Sequence, residues 1–166
     1  MIRRHGATLR TVQAREHRYV SEVRTVRVPA AAGRAIPDPT DVFDALLPEA
    51  ATLVWAVSDA EWLTAKDGSQ LNVDRLREDV EAEPRGLVMQ WPELRALLDD
   101  VLQVIDGSFV ACRKQEWIPR RSAVHEELAP HAEMAVTAID SSYWLVTADD
   151  RIAQRLIERF PGTEPV

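Results

Sequence analysis

The sequence predicts an α+β fold, with about four to six strands in a mixed or antiparallel sheet and two or three helices packed on it. The segment 134–160 gives the strongest indication, since it has the pattern of a strand, a tight turn, a second strand and an amphipathic helix. Apolar residues recur at helical spacing over 94–105. Short apolar runs at 52–57, 87–89 and 108–113 have the length of buried strands.

Within the terminal segment, residues 134–139 are apolar on both faces, which suits a strand that is covered on both sides. Residues 140–142 (Asp-Ser-Ser) are predicted to form a turn, because short oxygen-bearing side chains bond their own backbone. Residues 143–147 alternate as the next strand. Thr147 is predicted to cap the helix that follows, which carries its apolar residues on one side and ends at Phe160.

The stretch after the strand 52–57 has two interpretations. Ser58 and Glu61 have the spacing of a capping box, which predicts that a helix follows this strand. The alternative is a hairpin in which 62–64 pairs with 70–71 around an Asp-Gly turn. Both interpretations stay open at the level of the sequence.

Two further helices are predicted before the terminal segment. One opens at Asn72 or Asp74. The other spans 94–105, has the best amphipathic stripe in the chain and is expected to be the central core helix, packed on the same face of the sheet as the terminal helix. Truncating Leu98 or Leu102 to alanine is expected to cost about 2–5 kcal/mol where the side chain is buried.

The charge is divided unevenly along the chain. Residues 1–36 carry eight arginines and two acids, a net charge of +6, and residues 37–166 carry 12 basic and 25 acidic residues, a net charge of −13. We therefore interpret 1–36 as a basic N-terminal arm or extension and 37–166 as a single acidic α+β domain. Apolar spacing over 1–28 allows a helix, which could lie on the acidic domain or contact a nucleic acid.

Composition limits the class of protein. There is no apolar run near 18 residues and no apolar segment after the basic N-terminus, so neither a membrane span nor a secretory signal is expected. Cys112 is the only cysteine, which excludes an internal disulfide, fits a reducing cytoplasm and predicts an inert buried thiol. The five tryptophans are interpreted as core or half-core anchors.

Patterns that would indicate catalysis or metal binding fail on spacing. His125 and His131 are six residues apart, not four, and Pro130 lies between them, so no metal site and no cofactor are expected. Ser141 lacks the glycine-rich elbow of a serine nucleophile, so no catalytic residue is assigned. An enzyme would need a pocket near the 114–131 loop and the 140–144 turn, using Asp140, Tyr143, His125 or Glu126.

Two sets of charged or aromatic residues are candidates for partner binding. The first combines the densest acidic run in the chain with residues from the 114–131 loop and the final turn, and it would engage a basic protein: Glu78, Asp79, Glu81, Glu83, Trp117, Asp140 and Tyr143. The second belongs to the alternative of a nucleic-acid-associated protein that uses its N-terminal arm: Arg3, Arg4, Arg10, Arg15 and Arg18.

The pattern Ile139-Asp-Ser-Ser-Tyr-Trp-Leu-Val146, followed by an acid-capped helix, is similar to that of small acidic α+β immunity-type proteins of bacterial toxin systems. The resemblance extends over the preceding 91–113 unit and carries no functional residue across. The basic arm departs from it. The resemblance implies a non-enzymatic inhibitor that engages a basic protein partner, which is the first functional hypothesis. The nucleic-acid arm and the small enzyme are the alternatives.

Overall fold

The structure, a computed structural model, describes residues 22–30 and 36–166. These residues form one antiparallel sheet of seven strands in the order β3-β2-β4-β5-β6-β1-β7. The strands are β1 (Val23–Pro29), β2 (Val54–Ala65), β3 (Leu87–Gln90), β4 (Val101–Cys112), β5 (Met134–Ile139), β6 (Tyr143–Asp149) and β7 (Glu164–Pro165). The helices are α1 (Pro39–Asp44), α2 (Val73–Ala82), α3 (Trp91–Asp100), α4 (His125–Leu128) and α5 (Asp150–Arg159). The α+β class is confirmed, with more strands and helices than predicted.

The main core lies on one face of this sheet, which we term the core face. Residues of α1, α2, α3 and α5 join a single apolar cluster with alternate residues of the strands. Phe43 of α1 lies at its centre, with its ring centroid 5.3 Å from that of Trp55, 5.1 Å from Phe109 and 6.5 Å from Trp144. These partners come from β2, β4 and β6, so the cluster joins strands across the sheet.

The long strands β2 and β4 overturn two predictions. Ser58 and Glu61 lie inside β2 and do not cap a helix; of the hairpin alternative, 62–64 is a strand, but it pairs with β4 and not with 70–71. The helix predicted over 94–105 ends at Asp100, and β4 begins at Val101. Helical spacing and capping spacing are local signals, and here the pairing of the two long strands prevails over them.

The terminal segment folds as predicted except at one cap. Strand β5, the turn and strand β6 are confirmed, and the turn uses positive φ at Asp140 and Ser141, 46° and 52°. The cap of α5 is Asp149, whose carboxylate accepts a hydrogen bond from the amide of Arg151 at 2.9 Å, and not Thr147. Thr147 belongs to β6, where its hydroxyl has other partners.

Part of the predicted arm belongs to the sheet. Residues 23–29 form β1, which pairs with β6, so the helix expected over 1–28 is wrong for these residues. Val26 and Val28 alternate into the core face, which favours a strand over a helix. The proposed nucleic-acid contacts Arg3, Arg4, Arg10, Arg15 and Arg18 lie outside the described residues, so that alternative stays a prediction.

The end of α3 can be tested with a pair of leucines. Leu98→Ala should lower the free energy of unfolding by about 2–5 kcal/mol because its side chain is fully buried. Leu102→Ala should change it by about 0.5 kcal/mol or less, because Leu102 is in β4 and 55% exposed. Urea unfolding measures both values, and a large loss in both variants would instead support a helix through residue 105.

Candidate functional site: an uncovered half of the sheet

The face of the sheet opposite the core face is covered along only part of the length of its strands, at the end that contains Ala56, Cys112 and Ala135. The covering element is residues 114–131, here termed the crossing segment, which includes α4. It buries Ile118 and Leu128 against strand residues in a second, smaller apolar cluster. Cys112 lies in that cluster, where burial, with a contribution from Glu133, raises the pKa of its thiol to about 12. The predicted burial of this thiol is confirmed, and its raised pKa disfavours the reactive thiolate.

The covered half ends at a row of hydroxyl side chains from neighbouring strands. We term this the hydroxyl row: Ser58 of β2, Ser108 of β4, Thr137 of β5, Thr147 of β6 and Thr25 of β1. The backbone of the crossing segment is bonded to it. Ser58 Oγ donates to the carbonyl of Ser122 at 3.0 Å and accepts from its amide at 2.8 Å. Ser108 Oγ donates to the carbonyl of Ala123 at 3.3 Å.

His125 completes the attachment of the crossing segment to the row. Its Nδ1 lies 2.9 Å from Thr137 Oγ1, and its Nε2 lies 2.8 Å from Thr147 Oγ1. Thr147 Oγ1 lies in turn 2.6 Å from Thr25 Oγ1. A neutral imidazole has one donor and one acceptor nitrogen, and a hydroxyl can take the opposite role at each, so either tautomer satisfies the row.

Burial keeps His125 neutral. The imidazole is 4% exposed, and desolvation lowers its pKa, with Glu126 opposing the effect. Because both ring nitrogens bond threonine hydroxyls, His125 positions the crossing segment. Of the four residues named for the enzyme alternative, His125 is thus engaged inside the fold. The nearby Thr137 and Thr147 are themselves buried, which leaves the chain of hydroxyls inside the fold.

Beyond the hydroxyl row lies a set of side chains that are exposed or partly exposed. We term this set the open face, and the strand register places its members on the same side of the sheet. Trp62 lies opposite Asp106, Tyr143 opposite Ile139, and Arg27 opposite Leu145. Its members are Trp62, Asp106, Ile139, Tyr143, Leu145 and Arg27.

The apolar members of the open face lie outside both apolar clusters, with Trp62 exposed and Ile139 and Leu145 partly buried. Trp62 is 56% exposed, whereas Trp55 and Trp144, on the core face, are fully buried. Of the tryptophans interpreted as core or half-core anchors, Trp55 and Trp144 are in the core, whereas Trp62 has more than half of its surface exposed. A contiguous exposed apolar patch on a folded protein commonly marks an interaction site.

Carboxylates surround this patch. The rim, as we term it, consists of Asp59, Glu61, Asp140 and Glu164, together with Arg121. With Asp106 and Arg27 of the open face included, five carboxylates face two guanidinium groups. Arg27 is already paired with Glu164, and its guanidinium carbon lies 5.7 Å from the centroid of the Tyr143 ring.

The carboxylates near Trp62 act on one another. Burial raises the pKa of Asp59, and the charges of Glu61 and Asp106 raise it further, against a hydrogen bond from the Glu61 backbone and the charge of Arg121. Asp106 Oδ1 accepts a hydrogen bond from the amide of Asp140 at 2.8 Å, which ties the final turn to β4. Negative charge is therefore concentrated beside the open face although this disfavours the ionised form of Asp59.

The structure separates the residues predicted for partner binding. Tyr143 lies in the open face and Asp140 in its rim. The acidic run Glu78, Asp79, Glu81 and Glu83 is on or just after α2, whose apolar residues pack on the core face. The chain that follows the run reaches the edge of the crossing segment, since the amide of Arg121 donates to the carbonyl of Pro84 at 3.0 Å. Trp117 is at the start of the crossing segment, with the Lys114 ammonium 4.9 Å from its ring centroid.

Sequence reasoning missed most of the open face. Trp62 could have been assigned only by knowing the register between β2 and β4, which is irregular between Val57 and Ala65. Ile139, Leu145 and Arg27 were recognised as strand or arm residues but not as neighbours. The available signal was the alternation of Tyr143 and Leu145 with buried residues of β6.

A cavity of about 160 Å³ lies away from the expected pocket near the 114–131 loop and the 140–144 turn. It is lined by residues 36–39 and 102–104, and Asp38 is its only titratable residue. It therefore offers no acid–base pair. Among the described residues, no group of three or more His, Cys, Asp or Glu side chains is placed to hold a metal ion.

Comparison with known proteins adds no relative: no protein-family model, no curated protein and no solved structure matches the chain. In the part of the chain that the structure describes, no helix is long and apolar enough to cross a membrane. The geometry of the open face is therefore the basis for the function proposed below.

The burial of His125 predicts a dependence of stability on pH. Its pKa is lowered in the folded state, so the unfolded chain binds the proton first. The free energy of unfolding should therefore fall as the pH drops from about 6.5, the unfolded value, towards the lowered folded value, by at most about 1.4 kcal/mol per pH unit.

Urea unfolding of His125→Gln and of the wild type between pH 5 and pH 8 measures how the free energy of unfolding depends on pH. The variant should be less stable at neutral pH, and its deficit should shrink as the pH falls below about 6.5. His131→Gln, at an exposed position, is the matched control and should follow the wild type. Parallel pH profiles for His125→Gln and the wild type would contradict the buried neutral imidazole.

Proposed function

We propose that the protein is a non-enzymatic binding protein of the inhibitor type, immunity-like, that engages a basic protein partner through the open face. The single observation that carries this proposal is the exposed Trp62 beside the partly exposed Ile139 and Leu145 on neighbouring strands, bordered by more carboxylates than cations. This combination suits a complementary protein surface that presents apolar side chains between arginines or lysines.

Trp62 is the natural anchor of such a contact. Tryptophan is among the residues that contribute most to binding energy at protein interfaces. Its exposed ring can be buried by a partner and can also accept a cation over its face, with Asp106 directly opposite it on β4. The remaining apolar members, Ile139 and Leu145, extend the strip towards β1.

The dimensions of the open face fit the centre of an interface. Five strands at a spacing of about 4.8 Å span roughly 20 Å, and Tyr143 and Leu145, two residues apart on β6, span roughly 7 Å along the strand. The resulting area, on the order of 150 Å², is smaller than the roughly 800 Å² that one partner commonly contributes. The rim would supply the polar remainder, where opposite charge accelerates association.

The carboxylate cluster supports binding as the role of this region. Asp59 carries a raised pKa because it is partly buried near Glu61 and Asp106. Burial and the nearby charges of Glu61 and Asp106 disfavour the ionised form of Asp59, so this arrangement does not stabilise the isolated domain. A cationic partner would relieve this repulsion on binding.

The proposal predicts that Trp62→Ala abolishes capture of a basic protein while Trp117→Ala does not. Both tryptophans are exposed, 56% and 43%, so neither change should disturb folding, but only Trp62 lies in the open face. Immobilised full-length wild type and both variants are exposed to lysate of the source cells. Bound proteins are then quantified by mass spectrometry, and the affinity of the purified candidate is measured.

We expect one basic protein to be retained by the wild type and by Trp117→Ala, with binding to Trp62→Ala weakened about 30-fold or more, as for a strong interface anchor. Asp106→Asn should mainly slow association and reduce its dependence on salt. Equal retention by Trp62→Ala would overturn the assignment. Loss only in Glu81→Lys or Glu83→Lys would move the binding surface to α2.

A further inference from the structure

We propose that residues 1–21 of the same chain bind the open face, so that the N-terminal segment and an external partner compete for one surface. The inference concerns the same surface as the proposed function but requires no external partner. It can therefore hold or fail independently of that function. Residues 1–21 precede β1 and lie outside the described residues.

Charge complementarity is the first argument. Residues 1–21 contain five arginines and one glutamate, a net charge of +4. The open face and its rim contain five carboxylates and two arginines, and one of these arginines, Arg27, is already paired with Glu164. That leaves Asp59, Glu61, Asp106 and Asp140 with Arg121 as the nearby cation.

Apolar complementarity is the second argument. Leu9, Val12 and Tyr19 are spread among the arginines of the segment. The open face offers Trp62, Leu145 and Ile139 between its carboxylates. Trp62 can receive a guanidinium over its ring as well as an apolar side chain beside it. A segment that alternates apolar residues with arginines therefore matches both components of this surface.

Chain connectivity is the third argument. The segment joins β1 at Val23, and β1 itself contributes Thr25 to the hydroxyl row and Arg27 to the open face. Arg27 is four residues from Val23, about 13 Å along the strand, and Trp62 is four strand spacings away, about 19 Å. A chain of 21 residues can extend up to about 70 Å, so it reaches every part of the surface.

The competing acidic surface on α2 is a poorer match. Arg75 lies 3.0 Å from Asp79 and 3.9 Å from Glu78, so those two carboxylates already have a cation. The apolar residues Leu76 and Val80 of that helix are buried in the core face. The apolar residues of α2 itself therefore add nothing to the charge that Glu81 and Glu83 offer.

A segment bound in this way would regulate access to the open face. Tethering gives it an effective concentration on the order of millimolar, so a weak contact suffices to occupy the surface. A partner would then have to displace it, and the apparent affinity would fall by the fraction of molecules in which the open face is free. Stronger binders would be selected over weakly basic proteins.

Paramagnetic relaxation in the full-length chain tests the contact. A nitroxide is attached at Thr11→Cys; the native Cys112 is 1% exposed and should not react. We expect loss of signal from the Trp62 indole NH and from the methyl groups of Leu145 and Ile139. The loss should be reversed at about 0.5 M salt and in Asp106→Asn, whose amide oxygen can still accept the Asp140 amide.

Three outcomes would overturn the inference. Signal loss confined to residues around Glu81 and Glu83 would place the segment on α2. No loss at low salt would mean that the segment does not contact the domain. The third outcome comes from a mixture of two chains, one that carries the spin label but no isotope label and one that carries the isotope label but no spin label. Signal loss at Trp62 in this mixture would show that the contact is made by a second copy. None of these results decides whether the open face captures a basic protein, which the capture experiment tests separately.

Discussion

The attachment of the crossing segment to the hydroxyl row is the constraint on which the outer face of the sheet depends. Backbone groups of a loop lying on a sheet need hydrogen-bond partners when they are buried. Ser58 and Ser108 supply them to residues 122 and 123, and His125 bonds Thr137 and Thr147. These bonds fix where the loop crosses, and therefore where the covered half of the sheet ends and the open face begins.

The open face and its rim contain features that do not stabilise the isolated domain. Asp59 is held partly buried near Glu61 and Asp106, and its raised pKa is the direct sign that its ionised form is disfavoured. Beside it, Trp62 exposes more than half of its surface. Neither feature stabilises the isolated domain. Both become favourable when a surface with cations and apolar side chains is placed against them, and in that respect a partner protein and residues 1–21 are equivalent.

Secondary structure could be predicted from the sequence where local signals and packing agree, and it was predicted wrongly where they conflict. The β5–β6 hairpin and α5 were predicted because the turn residues and the apolar periodicity indicate the same structure. Ser58 and Leu102 were misassigned because their helical signals are local, whereas β2 and β4 are held by pairing across the chain. Thr147 was predicted as a cap because the partner that engages its hydroxyl, His125, is distant in sequence. The open face depends on register irregularities that no local pattern specifies.

Hydroxyl-radical footprinting of the side chains, at about 0.5 M salt to screen the N-terminal arginines, tests most directly whether half of this face is unpacked. Trp62, Tyr143 and Leu145 should oxidise rapidly. Ile118 and Leu128, under the hydroxyl-bonded crossing segment, should be protected to the same degree as Trp55 and Trp144. Protection of Trp62 and Leu145 equal to that of Leu128 would contradict an open face, and rapid oxidation of Leu128 would contradict a crossing segment fixed by the hydroxyl row.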